Sequence, residues 1–179
     1  MSNKTIKPIQ THYKGYHFRS RLEARWAVFF DVMQVKWSYE PEGFVLPDGT
    51  KYLPDFFIHS ERDYHRPGSG WWIEIKPTYP SESELDKFKQ LCESTEHNGY
   101  LFIGLPAEQP WIFIHRSGSV SLHGRDDEVF PIPDNIWREC RLKTELCFLQ
   151  TPRWDEIAGN PCATARSARF EHGQKGATA

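Results

Sequence analysis

Cysteine is scarce and scattered in this chain. Cys92, Cys140, Cys147 and Cys162 are the only four among 179 residues, they form no CxxC pair, and no histidines accompany them at zinc-finger spacing, which argues against a zinc ribbon or finger. They are expected to be reduced, mostly packed thiols, with a disulfide among the last three as the less favoured alternative. Charge of one sign is missing as well. The formal net charge is −2, so there is no global basic footprint for nucleic acid, and any contact with phosphates has to come from a local patch. No apolar run is long enough to cross a bilayer, and Met1 to Gln10 lacks the apolar core of a signal peptide. The expectation is a cytoplasmic protein without a membrane partner. The eight histidines show no two-histidine spacing that would suggest an HNH-type or zinc site.

What is present is a globular composition, 39% hydrophobic and 15% aromatic, at a length that suits one well-buried domain with trimmings. Between Arg19 and Val35, Leu22, Trp26, Phe29, Phe30 and Met33 recur at three- and four-residue steps, which predicts an amphipathic helix. Phe44-Val45-Leu46 and Tyr52-Leu53 flank the turn Pro47-Asp48-Gly49-Thr50 as a hairpin, whose second arm is expected to run on through Pro54-Asp55-Phe56-Phe57-Ile58. The charged, Pro- and Gly-rich stretch from Glu61 to Gly70 reads as an exposed connection. Trp71 to Lys76 is a third strand, in which Ile73 and Ile75 face one way and Trp72, Glu74 and Lys76 the other.

Ser81-Glu82-Ser83-Glu84 is an N-cap followed by acidic residues, so a second helix is expected to continue to about His97, with Asn98-Gly99 stopping it. Tyr100 to Leu105 and Trp111 to His115 read as two more strands. Residues 12–116 are thus expected to form the core, in the order α-β-β-β-α-β with one further strand after it. Residues 117–179 form a carboxy-terminal extension, in which Asp134 to Leu149 reads as a helix and the last residues as a loose tail.

Chemistry is concentrated in four positions. Glu-x-Lys alone is a weak signal, but Glu74-Ile75-Lys76 lies within an apolar strand, where two charges on one face are costly unless paired or bound to a metal. Asp55 interrupts the apolar run of the preceding strand. Glu23 lies at the margin of the first helix's apolar stripe. Three acids from three elements can therefore converge into a site of the kind that Mg2+ prefers, with Mn2+ as a substitute. Asp55 and Glu74 are the expected direct ligands, the Ile75 carbonyl a third, and Glu23 the holder of a second metal or its waters. Lys76 would stand beside the attacking water and stabilise developing negative charge.

The run Phe18-Arg19-Ser20-x-x-Glu23-Ala24, then Tyr39-Glu40-Pro41, Tyr52-Leu53-Pro54-Asp55-Phe56 and Ile73-Glu74-Ile75-Lys76 resembles the PD-(D/E)XK nuclease superfamily, above all its small phage-type and transposon-nuclease members. The likeness covers about the first two-thirds of the chain. It implies a restriction-endonuclease-like α/β core, a mixed sheet flanked by helices. It also implies Mg2+-dependent hydrolysis of DNA phosphodiester bonds to 5′-phosphate and 3′-hydroxyl ends.

Contact with DNA rests on Lys14, His17, Arg19, Arg21 and Arg25, expected around Glu23. Simpler readings stand beside these. Glu74 and Lys76 can be a salt bridge on a solvated sheet face, Glu23 can pair locally with Arg19 or Arg25, and the arginines can merely solvate a helix. A non-catalytic DNA-binding or assembly module on the same fold is the alternative function. Cutting both strands of a duplex with one site per chain would call for a homodimer or a partner protein.

Overall fold

The computed structural model describes residues 8–60, 69–106, 111–123 and 161–170. Its centre is a six-stranded mixed sheet in the order β10-β9-β8-β7-β6-β3. The strands are β3 (Trp37–Tyr39), β6 (Phe56–His59), β7 (Gly70–Lys76), β8 (Asn98–Ile103), β9 (Trp111–Ile114) and β10 (Val120–His123). Only β7 and β8 run parallel, with Glu74 opposite Leu101; the other neighbouring pairs are antiparallel. A parallel pair needs a crossover, and α2 (Glu82–Thr95) supplies it.

Helices cover both faces of the sheet. On one, Trp26, Phe29 and Phe30 of α1 (Arg21–Val32) pack on Phe56, Ile73 and Phe102. On the other, Phe88, Leu91 and Cys92 of α2 pack on Phe57, Trp72 and Leu101. Each fully buried large side chain contributes about 1.5–3 kcal/mol. Alternation along β7 follows the expectation, with Ile73 and Ile75 in the α1 cluster and Trp72 in the α2 cluster. Because both faces are covered, the Glu74–Lys76 face is not the solvated sheet surface of the simpler reading.

Two glycines hold close approaches. A Cβ on Gly99 would come within 2.6 Å of Cys92 Sγ and 2.7 Å of a Phe88 ring carbon, so the start of β8 can lie under α2 only without a side chain. Gly104, at φ +81°, follows β8, donates its N–H to the Lys76 carbonyl at 2.8 Å and accepts the Trp26 indole N–H at 3.0 Å. One peptide turn thereby ties α1 to the carboxyl end of β7.

Several expectations are corrected. A hairpin of β1 (Thr11–Tyr13) and β2 (Tyr16–Phe18) precedes α1, and β3 follows it; both are too short for alternation to show. β4 (Phe44–Val45) and β5 (Lys51–Tyr52) pair as foreseen, Phe44 opposite Tyr52, but form a sheet of their own. The strand stops at Tyr52, the chain bends at Asp55, and β6 begins afresh at Phe56. α2 ends at Glu96, in the left-handed region at φ 55°, while Asn98 and Gly99 open β8.

The sheet runs past residue 116 through β10, and α3 (Pro161–Ser167) places Cys162 and Ala165 in the α1 core. Part of the expected extension therefore completes the same core. The helix expected from Asp134 to Leu149 lies outside the described residues. Cys92 and Cys162 are buried free thiols; Cys140 and Cys147 are outside the described residues. Among those residues no helix is long and apolar enough to cross a membrane.

Candidate active site

Four chain segments meet at one end of the sheet's central strands: the start of α1, the start of β6, the carboxyl end of β7 and the first turn of α2. Asp55 directly precedes β6. The β6–β7 register pairs Phe56 with Ile73, which sets Asp55 across from Glu74 and lets Asp55 Oδ2 accept the Ile75 N–H at 2.7 Å. Its Oδ1 accepts from Arg19 Nη2 at 2.6 Å. Asp55 is only 3% exposed, and Glu23 and Glu74 are buried with it at 8% and 5%.

The electrostatics follow from that crowding. Burial first, then the charges of Glu74 and Glu23, push the Asp55 pKa well above the usual carboxylate range, against the Ile75 N–H and Arg19, which lower it. Burial alone would lower the Lys76 ammonium, but Glu74 and Glu84 outweigh it and raise it. Lys76 Nζ lies 3.0 Å from Glu74 Oε1 and 3.3 Å from Glu84 Oε1, so it is held protonated between β7 and α2. Glu84 is pushed down to about 2 by the backbone N–H and hydroxyl of Ser81, with Lys76 adding to the effect.

Glu23 owes its place to the helix start. Ser20 is the N-cap of α1: its hydroxyl accepts the Glu23 N–H at 3.1 Å and donates to Glu23 Oε1 at 2.7 Å. Oε2 accepts the Tyr39 hydroxyl at 2.5 Å. Both oxygens of Glu23 are thus engaged by the protein, so it acts on Asp55 through its charge instead of standing open as a ligand. Its local pairing with Arg19 or Arg25 is not seen; Arg19 instead lies between Glu40 Oε1 and Asp55 Oδ1, both at 2.6 Å.

Tyr39, Glu40, Tyr52 and Glu84 belong to the same neighbourhood and are not assigned from sequence. Tyr39 links Glu23 to the Arg19 backbone, whose N–H donates to the Tyr39 oxygen at 3.1 Å. Tyr52 has its phenol pKa raised by burial first and then by the Glu74 charge. In the sequence Tyr39-Glu40-Pro41 and Tyr52 draw notice only as parts of the family pattern, with at most an outer-shell role for Glu40, and Glu84 only as part of the capped start of α2.

The five expected nucleic-acid contacts separate. Lys14 ion-pairs with Asp31 at 3.0 Å; Asp31 lies eight residues after Glu23, roughly 12 Å along the helix axis, so Lys14 does not join the cluster. His17 pairs with His12 across the β1–β2 hairpin, with ring centroids 3.4 Å apart. Arg21 and Arg25 share a face of α1, as their spacing requires, and the Nε of each is buried without a partner. Arg19 is bound into the acid cluster.

Hard oxygen donors are the chemistry a divalent cation prefers, and the donors here test well in one respect. Glu74 Oε2 is buried and has no hydrogen-bond partner, whereas the other oxygens of Glu23, Asp55 and Glu74 are each engaged. A buried, unsatisfied carboxylate oxygen beside a carboxyl already strained by like charge is a place where added positive charge would stabilise the fold. As the side chains lie, no group of three His, Cys, Asp or Glu among the described residues is gathered for a metal ion. Asp55 and Glu74 are therefore the pair that could receive one, and Arg19 holds one of the oxygens it would use.

No family model matches this chain, and no curated relative matches it. Among solved structures, it is similar to a DUF820 protein from Anabaena variabilis, provisionally described as a nuclease. The TM-score is 0.42 and the identity 15%, with 74% of this chain and 86% of that one covered. Likeness at that level leaves the functional reading to the side chains themselves.

Proposed function

We propose that this protein is a divalent-metal-dependent nuclease that hydrolyses DNA phosphodiester bonds to 5′-phosphate and 3′-hydroxyl ends. The observation that carries the reading is the pair Asp55 and Glu74, buried across from each other at the ends of the central strands with Glu74 Oε2 unpartnered and Lys76 beside it. Asp55, Glu74 and the Ile75 carbonyl would hold Mg2+, or Mn2+ in its place. Bound there, such an ion supplies an acidified water near neutral pH and neutralises charge on the phosphate.

The chain's own residues do the rest. The Ile75 N–H and Arg19 orient the Asp55 carboxylate. Lys76, kept charged by Glu74 and Glu84, presents a fixed cation at the mouth of the pair, where it can hold a phosphate oxygen or the incoming nucleophile. Arg21 and Arg25 lie along α1 close enough in sequence to Glu23 to guide a phosphodiester backbone toward the pair.

Cleavage of linear, nicked, single-stranded and four-way-junction DNA by the wild type and Lys76→Ala, with Mg2+, Mn2+ or EDTA, tests the reading. Metal-dependent cutting in the wild type, reduced in Lys76→Ala by at least about a hundredfold, is expected. Equal cutting by both would sink the assignment of Lys76.

A second reading, a non-catalytic DNA-binding or assembly module, is favoured by one observation: all the carboxylate oxygens of Glu23 and Asp55 already have protein partners. On that reading the wild type binds DNA, cuts none of the panel and takes up no Mn2+.

A further inference from the structure

Asp55 is a buried anion, and a buried anion is tolerable only with a counter-charge and satisfied lone pairs. Among the described residues Arg19 is the one cation that touches it, through Nη2 at 2.6 Å. Arg19 itself has two anchors. Its Nε lies 2.6 Å from Glu40 Oε1, and Glu40 is in turn fixed to Asp55, because its N–H donates to the Asp55 carbonyl at 2.9 Å. Glu40 takes up this position at φ +43°, a left-handed conformation that is strained for a non-glycine residue. The backbone thus accepts strain where it aims a carboxylate at Arg19.

The two anchors differ in kind. Asp55 lies within the acid cluster, whereas Glu40 stands outside it, and the Arg19 side chain is half exposed. A guanidinium whose Nε is ion-paired with Glu40 from outside, by distance and without hydrogen-bond geometry, can turn its Nη end away from Asp55 without losing Glu40. The fork geometry of arginine allows this two-sided grip, and a lysine ammonium cannot reproduce it.

We propose that Arg19 is an exchangeable counter-cation of the acid site: its guanidinium and a divalent cation compete for Asp55 Oδ1, so that Arg19, held by Glu40, sets the affinity for metal. This rests on the reading of Asp55 and Glu74 as metal-binding. Metal uptake then requires the Nη2–Oδ1 contact to open, and the energy of that contact is subtracted from the binding energy of the ion. The exchange keeps Asp55 paired in either state, so the site is never a bare cluster of buried anions. Arg19 is in this sense a positioning residue with a second duty as a competitor.

The test is Mn2+ binding to the full chain without nucleic acid, by isothermal titration and by the electron paramagnetic resonance signal of free Mn2+. The proteins are wild type, Arg19→Gln, Arg19→Lys, Lys36→Gln and Asp55→Asn. Arg19→Gln is expected to bind Mn2+ roughly tenfold more tightly than wild type, within the usual range of coupling between two ligands. Arg19→Lys should fall between them and serves if the glutamine variant does not fold. Lys36→Gln removes one positive charge from an exposed position outside the site and should bind within about twofold of wild type, well under the coupling range, which separates competition for Oδ1 from general electrostatics. A larger Mn2+-induced rise in Tm for Arg19→Gln than for wild type would agree.

Tighter binding in Arg19→Gln when wild type shows none also supports the exchange. Equal or weaker binding in both Arg19 variants, with binding abolished in Asp55→Asn, overturns the exchange and leaves the metal-site reading standing. Absence of binding in every variant overturns both.

Discussion

Asp55 carries its charge where charge is least welcome, and that makes its titration a measure of the site. Folding raises its pKa, through burial and through Glu74 and Glu23, so the folded protein holds this proton more tightly than the unfolded chain does. The sign follows: the stabilisation is whole below the unfolded carboxyl pKa and is lost as pH rises through the higher folded one. In EDTA, Asp55→Asn is therefore expected to lose less stability between acid and neutral pH, and to melt a few degrees above wild type at neutral pH. Thermal unfolding across that range checks it. A lower Tm for the variant at every pH would mean that the Arg19 ion pair is worth more than the burial cost it offsets.

At the level of single residues, the four main site positions are legible because each is a charge set in an apolar run. Glu74 and Lys76 interrupt β7, Asp55 precedes Phe56-Phe57-Ile58, and Glu23 sits among Ala24, Trp26 and Ala27. Tyr39, Glu40, Tyr52 and Glu84 are not legible as neighbours of the acid cluster, and Arg19 is legible beside Glu23 but not as the partner of Asp55, since each acquires its role from a partner brought near by the fold. Arg19 meets Asp55 across 36 positions, and nothing in the local pattern of either residue announces the other. Lys14 shows the converse: adjacency in sequence suggests the Glu23 cluster, and the β1–β2 hairpin carries it to Asp31 instead.

Among the elements, α2 does more than bridge the parallel strands. Its capping box is complete: the Ser81 hydroxyl accepts the Glu84 N–H at 3.3 Å, and Glu84 Oε2 accepts the Ser81 N–H and hydroxyl, each at 2.8 Å. The other Glu84 oxygen reaches Lys76. Ser81→Ala is expected to cost about 1 kcal/mol by urea denaturation and, because it loosens Glu84, to leave Lys76 less firmly positioned. An unchanged denaturation midpoint would show that the cap contributes nothing to this helix.

The long elements can be read from sequence because period and length reinforce one another. α1 repeats its apolar positions over three turns, α2 has both its cap and its stripe, and β7 is an apolar run of seven residues interrupted only by Glu74 and the closing Lys76. β1, β2 and β3 have three residues each, too few for a period to separate from chance, and the pairing of β3 is decided by a partner distant in the chain. The end of α2 reads late in the sequence because Asn98-Gly99 is a common stop signal. Here Gly99 answers to a different need, the close approach of Cys92 and Phe88.

For the molecule as a whole, on the proposed function, a net charge of −2 would leave DNA affinity to a short strip of α1. Arg21 and Arg25 are its described members, so binding should be weakly salt-dependent compared with that of a basic protein. Replacing both by alanine is expected to weaken duplex binding and to flatten the plot of log affinity against log salt by about two, near 0.9 for each phosphate that is no longer neutralised. Fluorescence anisotropy over a salt series measures it. An unchanged slope would assign phosphate binding to another surface.

The single parallel pair in the sheet has a consequence in time as well as in space. β7 can meet β8 only after α2 has been made and folded back, and the acids of the site come from either side of β3, β4 and β5. Pairing of this kind is non-local and is won late in folding, because the loops must close before the contacts reward them. A chain still emerging during synthesis carries Glu23, Asp55 and Glu74 as separate, solvated side chains. The acid cluster comes into being with the finished sheet, so whatever chemistry it performs is withheld from the nascent protein.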